Sequence, residues 1–185
     1  MISDKELVEG CSKGDRKVQQ EFYGRFSRKL LAVCARYARS TPEAEDILQE
    51  GFIKAFDNIK SFRFESKLDT WLTRIMINTA LNYQRKKLYL FPMIDVTEVP
   101  LREEENISLS GFHFNELLVF VQSLPDGCRV VFNMFAIEGY SHKEISEMLG
   151  ISEGTSKSQY SRARQLLMQR INSEREYAHT GEGKI

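Results

Sequence analysis

Three groups of side chains in this sequence have the types and spacing to do chemistry. Glu43, Asp46 and Glu50 stand at i, i+3 and i+7, so a helix would carry their carboxylates on one face. A metal site needs further ligands converging from a second element, and no His or Cys lies near these acids. His113, His142 and His179 are isolated and suggest neither ligands nor catalysis. A second group, over residues 60–87, interleaves Phe62, Phe64, Trp71 and Tyr83 with Lys60, Arg63, Lys67, Arg74 and Arg85. Flat rings stack on unpaired bases and cations meet phosphates, which is what a single strand needs. Such rings can equally be core, and Trp71 fits an apolar stripe. The loop 61–67 is therefore the better candidate for a strand-handling surface. The third group, Thr155, Lys157, Ser158, Ser161, Arg162 and Arg164, follows a turn at Gly150. Positions 154, 158, 161, 162 and 165 share a helical face. A basic, hydroxyl-rich helix start suits phosphates and base edges in a major groove. A generic helical hairpin with a solvated basic face would show the same pattern.

The 185 residues carry 26 basic and 26 acidic side chains, a formal net charge of zero, but the distribution is uneven. Residues 1–92 hold 17 bases and 12 acids, residues 93–111 one base and five acids, and residues 112–185 eight and nine. Within the first part, residues 43–57 have five acids against Lys54, whereas residues 60–87 have seven bases against Glu65 and Asp69. An acidic surface beside a basic one points to two different partners. Cys11, Cys34 and Cys128 form neither a CxxC nor an even framework, which argues against a disulfide scaffold or a zinc module. No apolar run approaches the roughly 20 residues that cross a bilayer. The start MISDKELVEG lacks the basic and apolar regions of a secretory signal. The expectation is a soluble, reduced, cytoplasmic protein.

The elements that must position these groups read as helices throughout. Ser3-x-x-Glu6 forms a capping box, Gly14-Asp15 breaks and recaps, and Val18, Phe22, Phe26, Leu30, Val33 and Tyr37 make one stripe. Thr41-Pro42 reads as a cap with proline at the first helical position. Ser66-x-x-Asp69 resembles a capping box for a fourth helix that ends in Arg85, Lys86 and Lys87. Periodicity disappears between Pro92 and Gly111. After it come a stripe at Phe114, Leu117, Leu118 and Val121, then a helix from Asp126 to Gly139, and a capping box at Ser141-x-x-Glu144. Gly150 stops that helix, Ser152 caps the last, and the last reaches about Ile171. The expected fold is all-α. A four-helix bundle (1–91) and a C-terminal helix-turn-helix domain (112–172) are joined by an acidic linker (92–111), with a flexible tail (173–185).

Two stretches resemble one known family. AEDILQEGFIKAF (44–56) with TWLTRIMINTALNYQRKK (70–87) is similar to the second conserved region of bacterial sigma factors. LPDGCRVVFNMFAIEGYSHKEISEMLGISEGTSKSQYSRARQLL (124–167) is similar to the fourth. The order, the lengths and the acidic linker resemble the extracytoplasmic-function (ECF) group over about residues 3–170. The resemblance implies that Asp46, Leu48, Gln49, Glu50 and Phe52 dock on the clamp of the RNA polymerase largest subunit, and that the flap of the second largest subunit is a further contact. It implies that the loop Phe62, Arg63, Phe64, Glu65, Ser66 and Lys67 captures a flipped base of the −10 element. Asn78 and Asn82 match positions that read the −10 region, and the bases Arg74 and Arg85 join them on that helix. Lys157, Ser158, Ser161 and Arg162 match positions that read the −35 element. Gly154, Thr155 and Arg164 complete that surface, the first two as backbone anchors at a positive helix terminus. The sequence departs from the family at Gln159, where a base is frequent, and at Ser161, where a larger ring is frequent.

The implied function is promoter recognition and opening with core polymerase, and not an enzyme. Promoter DNA and an anti-sigma protein are the other implied partners, with no cofactor, metal or small-molecule substrate. An autonomous helix-turn-helix regulator is the alternative. It leaves the strip Asp46–Glu50 and the aromatic–basic loop without a role.

Overall fold

The computed structural model describes residues 2–88 and 114–181, with side chains over 2–84 and 116–174. Every regular element among the described residues is helical. The chain divides into two compact units, residues 1–84 and 85–185. The expected linker 92–111 lies outside the described residues.

The first unit contains α1 (Asp4–Ser12), α2 (Arg16–Tyr37), α3 (Thr41–Asn58) and α4 (Leu68–Leu88), with a 3-10 turn at Ile59–Ser61. The Ser3 capping box forms: the Glu6 N–H donates to Ser3 Oγ at 3.3 Å, and the Ser3 N–H donates to Glu6 Oε2 at 2.7 Å. Asp15 caps α2, accepting from the Lys17 and Val18 amides. The cap of α3 is Ser40, not Thr41; its hydroxyl accepts from the Glu43 N–H at 3.4 Å, while Pro42 sits in the first turn. Ser40 holds the extended backbone a cap needs, and the proline's missing N–H costs nothing there. The expected box at Ser66 does not form. α4 starts at Leu68, and Asp69 turns across to an ion pair with Lys29 of α2.

In the core of this unit the fully buried Phe22 ring lies 5.1 Å from Phe26 and 5.5 Å from Phe56, and Leu7, Leu30, Ile47, Leu72 and Met76 are fully buried as well. α3 and α4 approach so closely at Gly51 that a Cβ there would stand 2.2 Å from Met76 Sδ.

The second unit contains α5 (Phe114–Gln122), α6 (Asp126–Phe132), a π turn (Asn133–Ile137), α7 (His142–Leu149) and α8 (Glu153–Gly181). The helix expected to run from Asp126 to Gly139 therefore widens at Asn133, where the Glu138 N–H reaches back to the Asn133 carbonyl at 3.0 Å. The last helix continues well past Ile171. Ser173 to Thr180 contains no Gly or Pro, and Arg170 pairs with Glu174 at 3.7 Å. α6 and α7 both pack on α8. Phe120, Leu124, Cys128, Ala163, Leu167 and Ile171 make the core. The three cysteines are free and buried. Burial pushes the thiols of Cys11 and Cys128 up to about 11 and that of Cys34 to about 12.

Candidate nucleic-acid interface

Helical rotation sorts the acidic strip into two sets. Asp46, Gln49 and Glu50 are exposed, whereas Leu48 and Phe52 face the bundle at 4% and 3% exposure. Those two can support a docking surface by packing but cannot themselves meet a partner in this conformation. Ile53 stands on the exposed face at 61%, a position the sequence reading missed. The available signal was its spacing, seven residues from Asp46 and off the apolar stripe. Glu43 is not part of the strip. It is buried, accepting from Gln84 Nε2 at 3.2 Å and from the Arg39 N–H at 3.2 Å. Among the described residues, no group of His, Cys, Asp and Glu could hold a metal ion. Glu50 pairs with Lys54 at 2.6 Å, and Lys54 also reaches Thr79 Oγ1 of α4 at 3.4 Å.

The loop after the 3-10 turn is built as a platform with one raised ring. Phe62 is buried, its ring 5.1 Å from Trp71 and 4.8 Å from Phe64. Phe64 is 51% exposed and has φ +60, the only positive φ at a non-glycine among the described residues. An aromatic residue in that region is strained by on the order of 1–3 kcal/mol, a cost that clusters at functional sites. Arg63, Glu65 and Lys67 are exposed and Ser66 is half-buried. Thus Phe62 supports the surface rather than presenting itself, and Trp71 is half-buried beneath the loop rather than fully core. Along α4, Arg74, Asn78 and Asn82 are exposed at four-residue intervals, one polar stripe on the helix whose first turn carries Trp71. Arg85 lies on α4 by its backbone, with its side chain outside the described set.

In the second unit α7, Gly150 and α8 form a helix-turn-helix. Gly150 closes α7 at φ +69, in the left-handed region that glycine adopts at little cost. Ser152 Oγ accepts from the Thr155 N–H at 2.9 Å and lies 2.8 Å from the Thr155 hydroxyl, so Thr155 belongs to the cap. Gly154, Lys157 and Arg162 are exposed, and Ser158 and Ser161 are half-buried between them. Ser158 Oγ donates to the Thr155 carbonyl at 3.0 Å. Arg164 lies over the Tyr160 ring, at the edge of this face. Gln159 points the other way. It is 6% exposed and accepts from the Cys128 thiol at 3.0 Å, so the departure from the family there adds or removes no side chain on the outward face.

His142 is not isolated. Its ring stacks on Phe135 at 4.2 Å, and its Nδ1 lies 2.9 Å from the hydroxyl of Ser156, which is fully buried. Burial holds the imidazole below its ordinary value of 6.5; Lys157 adds to this and Glu153 opposes it. The unfolded chain therefore takes up this proton at higher pH than the fold does. Stability from the neutral ring is fully present above about pH 6.5 and is lost as pH falls below it. Urea midpoints of the second unit should drop over that window, and His142→Gln should flatten the drop. An unchanged slope in His142→Gln would assign the titration to another group.

Comparisons with known proteins match both units of the chain. The family model described as Sigma-70 region 2 matches residues 22–88, and that described as Sigma-70, region 4, matches residues 114–167. The ECF RNA polymerase sigma-E factor of Haemophilus influenzae is 32% identical over 186 aligned residues, covering 92% of this chain and 96% of that one. Its namesake from Escherichia coli K12 is 30% identical over 182 residues, covering 92% and 95%. Among solved structures, the sigma factor RpoE from Bartonella quintana, held in complex with the anti-sigma factor NepR, matches with a TM-score of 0.51. That match has 22% identity and covers 83% of this chain and 96% of that one, a likeness of fold.

Proposed function

This chain belongs to the ECF group of sigma-70 factors, and we propose how its two units divide that task. The chain binds core RNA polymerase and directs promoter recognition, DNA opening and transcription initiation. It makes and breaks no covalent bond itself and works in the cytoplasm, where polymerase and promoters are. Asp46, Gln49 and Glu50, with Ile53 beside them, dock on the clamp of the largest polymerase subunit, supported from beneath by Leu48 and Phe52. The second unit meets the flap of the second largest subunit. Phe64 takes the flipped −10 base, backed by the Phe62 ring and, behind it, Trp71. Arg63, Lys67, Arg74 and Arg85 neutralise the strand, and Asn78 and Asn82 present amides to base edges. Gly154 anchors phosphate at the start of α8, whereas Thr155, expected as a second anchor, commits its N–H and hydroxyl to the Ser152 cap. Lys157 adds a point charge, and Ser158, Ser161 and Arg162 face the −35 bases with Arg164 at the margin. An anti-sigma protein covers one of these surfaces when the factor is silent.

The observation that carries this reading is Phe64. It is an exposed aromatic ring at positive φ, set against the buried Phe62 ring, which in turn meets Trp71 at the head of a polar helix stripe. An autonomous regulator has no use for it. The test is run-off transcription with purified core polymerase, followed by mapping of start sites. Starts preceded by paired −35 and −10 elements, absent with core alone, are expected. No start above core alone, with tight and salt-steep DNA binding by the free chain, would favour the regulator.

The docking assignment has its own check. Asp46→Ala with Gln49→Ala removes two exposed side chains, at under about 0.5 kcal/mol of stability each. Core affinity is expected to fall about 5- to 30-fold, the effect of one or two moderate interface anchors. Titration of labelled core with a well-folded double variant measures it, and unchanged affinity removes the assignment.

A further inference from the structure

We infer that Ser156 and Gln159 are positioning residues for −35 recognition, fixing the rotation of α8 about its own axis and so deciding which side chains enter the groove. The inference rests on the −35 role proposed above for this helix. The buried face of α8 is polar in its first two turns and apolar after them. Ser156 is fully buried and Gln159 6% exposed, followed by Ala163, Leu167 and Ile171. Apolar packing is non-directional and tolerates small rotations. Hydrogen bonds are not so tolerant, because they weaken steeply off axis. Ser156 Oγ meets His142 Nδ1 of α7 at 2.9 Å, and Gln159 Oε1 accepts from the Cys128 thiol of α6 at 3.0 Å.

The two bonds tie α8 to two different helices, one turn apart. Rotating α8 either way breaks at least one and strands a buried hydroxyl or amide, which opposes the rotation. The outward face turns with it. Side chains reach about 5–6 Å from a helix axis, so a rotation of about 20° moves a contact atom by about 2 Å. That exceeds what a base-edge hydrogen bond allows. Arg162→Ala should relax preference at one base position. Loss of a pin should broaden preference at several positions at once.

The test uses holoenzyme on a promoter library randomised across the −35 element, with thermal melts run in parallel. Gln159→Leu keeps the bulk and removes the amide. Cys128→Ala removes the donor, and Cys128→Ser restores one. Gln159→Leu and Cys128→Ala are expected to cut discrimination about 5-fold at several positions, with Cys128→Ser close to wild type. If Gln159→Leu fails to fold, the Cys128 pair decides alone. Output that falls uniformly with every base preference intact overturns the inference and leaves these residues as packing. Wild-type holoenzyme with no −35 preference removes the functional reading itself, a distinct failure that takes the inference with it.

Discussion

Arg129→Ala is expected to unfold the C-terminal unit at ambient temperature while the N-terminal helices stay folded. Arg129 is fully buried, and its guanidinium donates to the Leu124 carbonyl at 2.9 Å and to the Gln122 carbonyl at 3.3 Å, while pairing with Asp126. Those carbonyls belong to the last residue of α5, where a helix leaves acceptors without intrahelical partners, and to the turn just after it. One planar cation therefore closes α5, opens α6 and joins the two. Its removal takes the guanidinium away from a largely buried carboxylate and two carbonyl acceptors, a loss of about 3–5 kcal/mol. A unit of this size has a total stability of about the same amount. Amide exchange should show protection lost across residues 116–174 and retained across residues 2–84. Arg129→Lys should recover only part, because one ammonium cannot span three acceptors in fork geometry. Full protection of the C-terminal helices in Arg129→Ala would show that the core alone holds this unit.

What the sequence revealed and what it hid follow from the range of each interaction. The boxes at Ser3 and Ser141 and the stop at Gly150 depend on residues three or four apart, and they are where the spacing placed them. The outward face of α8 was legible for the same reason. The cap of α3 was missed by one residue because Ser40 and Thr41 are both competent hydroxyls, and only backbone geometry chooses. Asp69 left its local box for Lys29, 40 residues away, and Glu43 left the acidic strip for Gln84, 41 residues away. No window of sequence contains those pairs. Arg129, Ser156 and Gln159 were invisible for another reason. A pattern of apolar against polar assigns such residues to the surface, and each is buried with its hydrogen bonds satisfied inside the fold. The family resemblance carried positions but not orientations, which is why Leu48, Phe52 and Phe62 were grouped with exposed neighbours although they pack inward.

Phe64→Gly is expected to cripple promoter opening without weakening the fold. Two stability effects oppose each other. Glycine adopts φ +60 freely, which relieves strain of about 1 kcal/mol or more. Loss of the ring contact with Phe62, 4.8 Å between centroids, costs about 0.5–1.5 kcal/mol. The melting temperature should therefore hardly move. Opening has no such offset. Stacking of one base on an aromatic ring is worth about 1–3 kcal/mol, so the open complex should be depleted about 5- to 150-fold. Phe64→Tyr keeps the ring and the strain, and should open promoters nearly as wild type does. Phe64→Ala should lose the stacking and keep the strain, so it should open as poorly as glycine but melt lower. Permanganate reactivity of unpaired thymines in the −10 region reads the opening, and scanning calorimetry reads the fold. Wild-type reactivity in Phe64→Gly would mean that the flipped base rests elsewhere on the loop, leaving the strain at Phe64 to serve the backbone turn alone.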